Sequence, residues 1–539
     1  MRCTLFLLLA IVNLTSLFAQ VEKIEKSVAI DEPDQGWNKI LLLSNDKTFY
    51  FHLSKSDGIV LTVFDKDRKL VDTKSYTSEL WDARKMKTTH IVGLYEINHE
   101  AVLFMVQSEG REPTLYRLRF STDNGSLTKE QELGSLPRTK LFASSGEIND
   151  IYVEKDPESD CYAVIYFNGY ASDKDERIKV DHFNGEHKLI HSAFYDSPDE
   201  NFKFLRFIGA VVDGDKRLFV ACYGAANQRG REGRVYISRL QASESSFTNK
   251  SLDYTEDFRD TKSVMYYNHN NNIIQMLTMS FDKGRANFFS NSLHGDYSSF
   301  LSYIDPDNVS LKRVSPVSGS KLSDYAHNVL GFKQSYVGLP QQMVINKDNS
   351  TTILSEDLTQ EIITDDKGNI ISTATYLGAI GINEINPDGS EKNGEVIMKV
   401  QKALGLINPL YISSRCKGRW RYTSNGADYN SYLSYDFIST EKGRYILFND
   451  NPKNFDKEED ERRRKVVVNI NKINTICYSL DGDKVNKFYI FGDPEKTEKR
   501  SSCHIEASDY RKATNTYSTI LVEREGRDKE TKIVWVKFK

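Results

Sequence analysis

Seven times along this chain a short strand of alternating apolar residues runs into a turn of Asp, Asn, Gly or Ser/Gln, and a second strand follows at once. The copies are Leu61–Asp67, Leu118–Gly125, Val180–Gly185, Ile237–Ala242, Ser302–Asn308, Ile382–Gly389 and Cys477–Asp483. Their turns begin at 65, 121, 184, 241, 305, 386 and 481, so successive spacings are 56, 63, 57, 64, 81 and 95 residues. A hairpin recurring at that period is the sequence signature of a β-propeller, each copy being the outer pair of strands of one blade. A further apolar strand precedes each hairpin, as in Thr48–Leu53 and Ala101–Gln107. Before that strand stands a candidate innermost strand, such as Lys39–Ser44 in the first unit and Tyr429–Ile438 in the seventh. All show period-two alternation or β-branched and aromatic runs bounded by turn residues.

The C-terminus adds an incomplete eighth unit, the hairpin Thr519–Glu523 with Lys532–Phe538. Lys23–Ile30 is a lone strand near the other end, placed to pair with that hairpin and complete the unit. The fold expected is therefore all-β, a single propeller of eight blades over residues 20–539, closed by the N-terminal strand. Seven blades is the alternative parse, because the sixth and seventh units carry long insertions. A pair of β-sandwiches would share the short strands and turns; no Pro/Gly/Ser-rich linker near the middle of the chain favours that division.

Residues 1–19 read as an export signal. Arg2 supplies the positive charge, Leu5 to Val12 the apolar core, and Ala19 the residue before cleavage, although Leu17 is larger than usual at its position. The apolar run is too short to span a bilayer, which takes about 20 residues, and no later stretch approaches that length. An uncleaved anchor is the other reading of the same run. The expected location is periplasmic or extracellular. A net charge of −4 and a pI near 6.3 give no electrostatic case for nucleic acid. Five Cys follow the signal, with no CxxC spacing, so neither a zinc site nor a disulfide framework is implied. Cys161 and Cys222 read as small core residues, while Cys416 with Cys477 or Cys503 is the pairing left open.

Arg444–Asn454 resembles a stretch that recurs in uncharacterised secreted propeller proteins of Gram-negative bacteria, and so does Val396–Lys402, where that family often has Pro at the position of Met398. The resemblance covers mainly the last third of the chain; it implies a fold and an exported location, and carries no catalytic residues. Ser121–Thr128 resembles the Asp-box turn of sialidases, a structural device. The Arg-rich catalytic set and the Arg-Ile-Pro signature of those enzymes are missing, which argues against sialidase activity.

No G-x-S-x-G, Walker or dinucleotide motif occurs, and no cofactor is expected. The acidic turns lack the ligand spacing of a calcium loop. His182, His187 and His191 read as surface histidines around one hairpin, with His187 and His191 on the same side of a strand, and no metal is expected. Asp456–Lys465, acidic then basic, reads as a solvated loop. The segment Arg419, Trp420, Arg421, Tyr422 combines cations with aromatic rings in the long link before the seventh unit. In a propeller, such links lie on one face with the loops that carry Trp81, Arg229 and Arg231. Aromatic faces stack on sugars, and Arg donates to anionic groups. The functional expectation is a non-enzymatic binding or scaffold protein for a glycan or an extracytoplasmic protein. A carbohydrate-active hydrolase or lyase with its site at the channel mouth is the alternative.

Overall fold

A computed structural model describes residues 21–33, 36–110, 112–137, 150–168, 176–195, 204–225, 233–242, 244–252, 254, 262–281, 297–368, 370–421, 430–457, 464–481 and 484–539. The export-signal expectation lies outside them. The fold is all-β, of a propeller-like kind: among the described residues eight antiparallel sheets are built on four strands each, seven in meander order along the chain and the eighth with its outermost strand taken from the N-terminal end. Sheet 1 comprises Gly36–Leu42, Thr48–Ser54, Gly58–Phe64 and Leu70–Tyr76. Sheets 2 to 8 begin with Thr89–Ile97, Asp150–Lys155, Phe204–Asp213, Lys262–Asn268, Leu339–Ile345, Asp436–Ser439 and Arg500–Cys503. The seven repeated hairpins join the third and fourth strands of sheets 1 to 7.

Alternation decides how the sheets stack. Side chains on one strand point to opposite faces, and in Thr48–Ser54 both faces are buried. Phe49, Phe51 and Leu53 pack toward sheet 2, whereas Tyr50 packs toward sheet 8. Every consecutive pair of sheets shares such an apolar cluster. Sheet 8 meets sheet 1 the same way, through Ile520, Ile533 and Trp535 against Ile40, Leu42 and Phe64. Fourth strands have no sheet beyond them, and Leu70–Tyr76 is accordingly mostly exposed.

The strand Val21–Lys26 pairs antiparallel with Asp528–Phe538, with Ile24 opposite Val536. Sheet 8 has its own first strand as well, which the sequence reading lacked: Arg500–Cys503 pairs with Thr516–Glu525. Two other elements differ from expectation. The first strand of sheet 7 is Asp436–Ser439 rather than Tyr429–Ile438, because Tyr432 and Leu433 are buried with the link that precedes it. In sheet 6, Thr351–Thr364 and Ile370–Ile385 form one long hairpin whose outer half lies beyond the sheet and pairs with Gln401–Leu404.

The histidine reading is corrected. His182 Nε2 donates to the backbone oxygen of Gly214 at 3.0 Å. His187 has positive φ in the turn rather than a strand conformation, and lies 3.1 Å from the Tyr162 hydroxyl. Both are buried, His182 by its bond to the Gly214 turn of sheet 4 and His187 by packing edge-on to the Tyr162 ring. Arg464 is also buried, paired with Asp450 at 2.9 Å, where a solvated loop was expected. Cys161 and Cys222 are core residues, and the five described cysteines are free thiols. Among the described residues no helix is long and apolar enough to cross a membrane, and no group of three or more ligating side chains is placed to hold a metal ion.

Deleting Val21–Ile30 uncovers the edge of Asp528–Phe538, a row of unpaired backbone donors and acceptors. The expected result is a melting temperature lower by about 5–10 °C, each kcal/mol being worth roughly 2–4 °C in a large domain, or aggregation on heating. An unchanged melting curve would show that the pairing contributes nothing.

Candidate functional site

The link from sheet 6 to sheet 7, residues 398–435, does not take the short route. After Gln401–Leu404 it turns at Leu410, whose φ is 63°, into the helix Tyr411–Cys416. That helix rests on the first strand of sheet 6: Leu410 N donates to Pro340 O at 3.1 Å, and Ser413 Oγ donates to Gln341 O at 3.1 Å. The chain then reaches sheet 2, where Trp420–Arg421 adds a two-residue strand to the free edge of Thr89–Ile97, Trp420 opposite Ile91 and Arg421 opposite His90. Gly418 allows this approach. Its φ is +74°, and a Cβ there would stand 3.1 Å from the Leu94 backbone nitrogen.

Ion pairs hold the crossing in place. Glu154, on the first strand of sheet 3, receives Lys417 Nζ on one oxygen at 2.6 Å and Arg419 Nη2 on the other at 2.7 Å. Arg419 also donates to Val153 O at 2.9 Å. Arg421 Nη2 meets Asp150 at 2.5 Å. At the helix end, Arg415 donates to Asp436 at 2.6 Å and to Tyr435 O at 2.7 Å, and Tyr517 donates to the other Asp436 oxygen at 2.8 Å. Burial opposes ionisation of Glu154, but Arg419 and Lys417 outweigh it and keep its carboxyl below the usual range.

Between this link and the first strands of sheets 2 and 3 lies a cavity of about 470 Å³. Its aromatic wall includes His90, Tyr152, Tyr411 and Trp420; Asn408 and Glu506 line it too, beside Arg415, Arg419, Arg421 and Asp150. Burial and the neighbouring Arg421 push His90 down to about 4, so its imidazole is neutral at neutral pH. Burial raises Tyr152 and Glu506, the latter against the pull of Arg415 and Lys39.

The segment singled out in the sequence thus sits at the cavity, but its members differ. Arg419, Trp420 and Arg421 are brought together there. Tyr422, Arg229 and Arg231 lie outside the described residues. Trp81 is corrected to a core residue: it is 3% exposed, its indole N–H donates to Thr89 Oγ1 at 2.9 Å, and it presents no ring face to a ligand. Arg419 and Arg421 were expected to await an anionic ligand, and each already holds a carboxylate of the protein. His90, Asp150, Tyr152 and Glu154 were not anticipated. The one signal available was the crowding of cations at Arg415–Arg421, which in a buried link requires carboxylates nearby.

No family model matches this chain, and no curated protein does. Among solved structures, it is similar to the polysaccharide lyase Uly1 with a TM-score of 0.38 at 10% identity, over 87% of this chain and 93% of that one. The uncharacterized protein lmo1340 from Listeria monocytogenes EGD-e gives 0.34 at 8% identity, over 70% and 88%. The polysaccharide lyase PL25-ulvanlyase bound to -[GlcA(1-4)Rha3S]- gives 0.33 at 10% identity, over 69% and 81%.

Glu154→Gln removes the charge that two cations share, and the expected loss is about 2–4 kcal/mol, somewhat below that of a fully buried pair because Lys417 and Arg419 keep some solvent contact. The readout is a lower melting temperature with new proteolytic cleavage near Lys417; a variant as stable and as resistant as the parent would mean the clamp is idle. A pH effect follows from the half-buried His90 and the buried His187 and His504. Burial holds His90 and His187 near 4 and His504 near 3 in the folded state, against about 6.5 unfolded. The unfolded chain therefore binds more protons below about pH 6.5, and stability present above that value erodes as pH falls toward 4, by up to roughly 1.4 kcal/mol per group per pH unit. Melting curves at about pH 7.5 and pH 5 test this, and equal midpoints would contradict it.

Proposed function

We propose that the eight sheets are the blades of one propeller, closed by the N-terminal strand, and that the protein is an exported, non-enzymatic glycan-binding protein. The link from blade 6 crosses the channel mouth to blades 2 and 3, and the ligand sits where it lands. The observation that carries this reading is the composition of the cavity wall. Trp420 supplies an apolar surface for the C–H face of a sugar ring. His90 Nδ1 has no hydrogen-bond partner among the described residues, and its ring and the Asn408 amide, both in the lining, can donate or accept toward hydroxyl groups. A cleft of this size with a few placed polar groups suits a small saccharide segment.

A second reading, a carbohydrate-active hydrolase or lyase at the same mouth, draws on one feature. His90 held neutral and Glu506 with a raised carboxyl line one cavity, which is a base and an acid in the same space. Incubation with polysaccharides separates the two: shortened products that vanish in His90→Ala mark the enzyme, and their absence leaves the binding protein.

Trp420→Ala is expected to weaken glycan binding by about 1–3 kcal/mol, roughly 5- to 150-fold, the worth of burying a large apolar side chain. Calorimetry or a glycan array comparing parent and variant measures it, with a melting curve to establish that the fold is intact. Affinity that survives in a well-folded variant would leave Trp420 as packing alone.

A further inference from the structure

We infer that a second, smaller cavity beside the landing of the link binds a small inorganic anion of single charge, of the size of chloride. This space of about 80 Å³ lies between the first strands of sheets 3, 4 and 5 and the link, with Glu154, Ser263, Ser413, Ser414, Lys417 and Arg419 in its wall. It has room for a few water molecules or one such ion and none for a sugar ring, so the inference is independent of the glycan-binding reading. Charge in this wall is unbalanced. Lys417 and Arg419 both pair with Glu154, at 2.6 and 2.7 Å, which sets two cations against one carboxylate. The next carboxylates are taken, Asp150 by Arg421 and Asp436 by Arg415. Tyr95, Tyr152 and Cys416 stand near the two cations, and burial holds all three in their neutral forms. Burial is also the chief influence on Lys417, pushing its ammonium below the usual lysine range, as befits a cation short of a counter-charge.

Hydrogen bonding is unbalanced in the same sense. Lys417 gives one of its three ammonium hydrogens to Glu154 Oε2. Arg419 turns Nε to Val92 O and Nη2 to Val153 O and Glu154 Oε1, and keeps the N–H groups of Nη1. Both Glu154 oxygens are thereby engaged. Ser413 and Ser263 spend their hydroxyl hydrogens on Gln341 O and Thr278 Oγ1. Donors are left over where the carboxylate is already shared. Water can accept from those donors, but only an anion also answers the extra positive charge, which is costly to leave alone in a partly desolvated wall. Tyr152, Ser414 and Arg419 belong to the walls of both cavities, so the ion secures from behind the residues that shape the larger one.

The test is thermal melting of the purified protein in sodium chloride against sodium gluconate, whose anion is too large for the cavity, at equal ionic strength. The variant Lys417→Met leaves one cation to one carboxylate and sets the difference that the two salts produce without the site. Relative to that variant, the parent's midpoint is expected to gain about 5 °C from chloride at about 0.5 M, and the gain should grow with chloride concentration as it does for any ligand of the folded state. Glu154→Gln leaves two cations facing the cavity and should enlarge the gain. A parent that responds to chloride no more than Lys417→Met overturns the site: water then fills the space, or the ion acts elsewhere. Should Lys417→Met fail to fold, a parent crystal soaked in bromide decides. Anomalous density within hydrogen-bond distance of Lys417 Nζ supports the site, and an empty cavity there overturns it.

Discussion

One carboxylate decides where the longest link of this protein lies. Glu154 takes a lysine and an arginine from a segment more than 260 residues further along the chain, with separations of 263 and 265. A link of that length could be accommodated in many ways, and the entropy of fixing its residues works against any single one. Two charge-assisted hydrogen bonds to one buried acceptor, with the backbone pairing of Trp420 and Arg421 to sheet 2, offset that entropy at one point. The cavity exists because the link is held there: Trp420 and Arg421 form its wall only while they remain on the edge of Thr89–Ile97.

The departure and neighbourhood of the link depend on two further ion pairs that see no solvent. Lys399 meets Glu356 at 2.6 Å, both side chains fully buried, and Ser434 Oγ donates to the same carboxylate. Arg464 meets Asp450, and Asn454 donates to Asp450 as well at 2.7 Å. Buried pairs of this kind add little net stability compared with apolar residues of equal volume, yet they tolerate no displacement, because either charge left alone is costly. Their effect here is positional. Gln401 connects the two regions, donating to Asn449 O at 2.7 Å and accepting from Ser434 N at 2.7 Å.

Short apolar runs bounded by turn residues made the sheets legible in the sequence, because each central strand buries both faces and is apolar on both. Phe49 to Leu53 shows why: the alternation sorts successive residues between two neighbouring sheets. The strand Arg500–Cys503 escaped because four residues, three of them polar, carry no period. Trp420–Arg421 escaped for the same reason, being a two-residue strand recognisable only from its partner. The site was legible by location and misread in chemistry. A run of arginines looks the same in sequence whether its counter-charges come from a ligand or from Asp150 and Glu154, since those acids lie on a strand far away in the chain. The buried histidines show the same limit, for nothing local to His187 announces Tyr162.

Trp81 and Trp420 lie in comparable links, and their contrast shows what makes one a core residue and the other a cavity wall. Trp81 is followed by one short 3-10 helix, Ala83–Thr88, and then by the strand it covers, and its indole N–H is satisfied by Thr89 only eight residues away, so the ring is drawn into the core between sheets 1 and 2. Trp420 arrives from the far end of the chain and is anchored through its backbone, which pairs with Ile91 and fixes the ring at the rim of that same core. An edge strand presents unpaired donors and acceptors that proteins must cover. Covering the edge of sheet 2 with a distant segment, rather than with the adjacent link, leaves a gap between the incoming chain and sheet 3. The ion pairs at Asp150 and Glu154 bridge that gap without filling it, and the cavity is the space they leave.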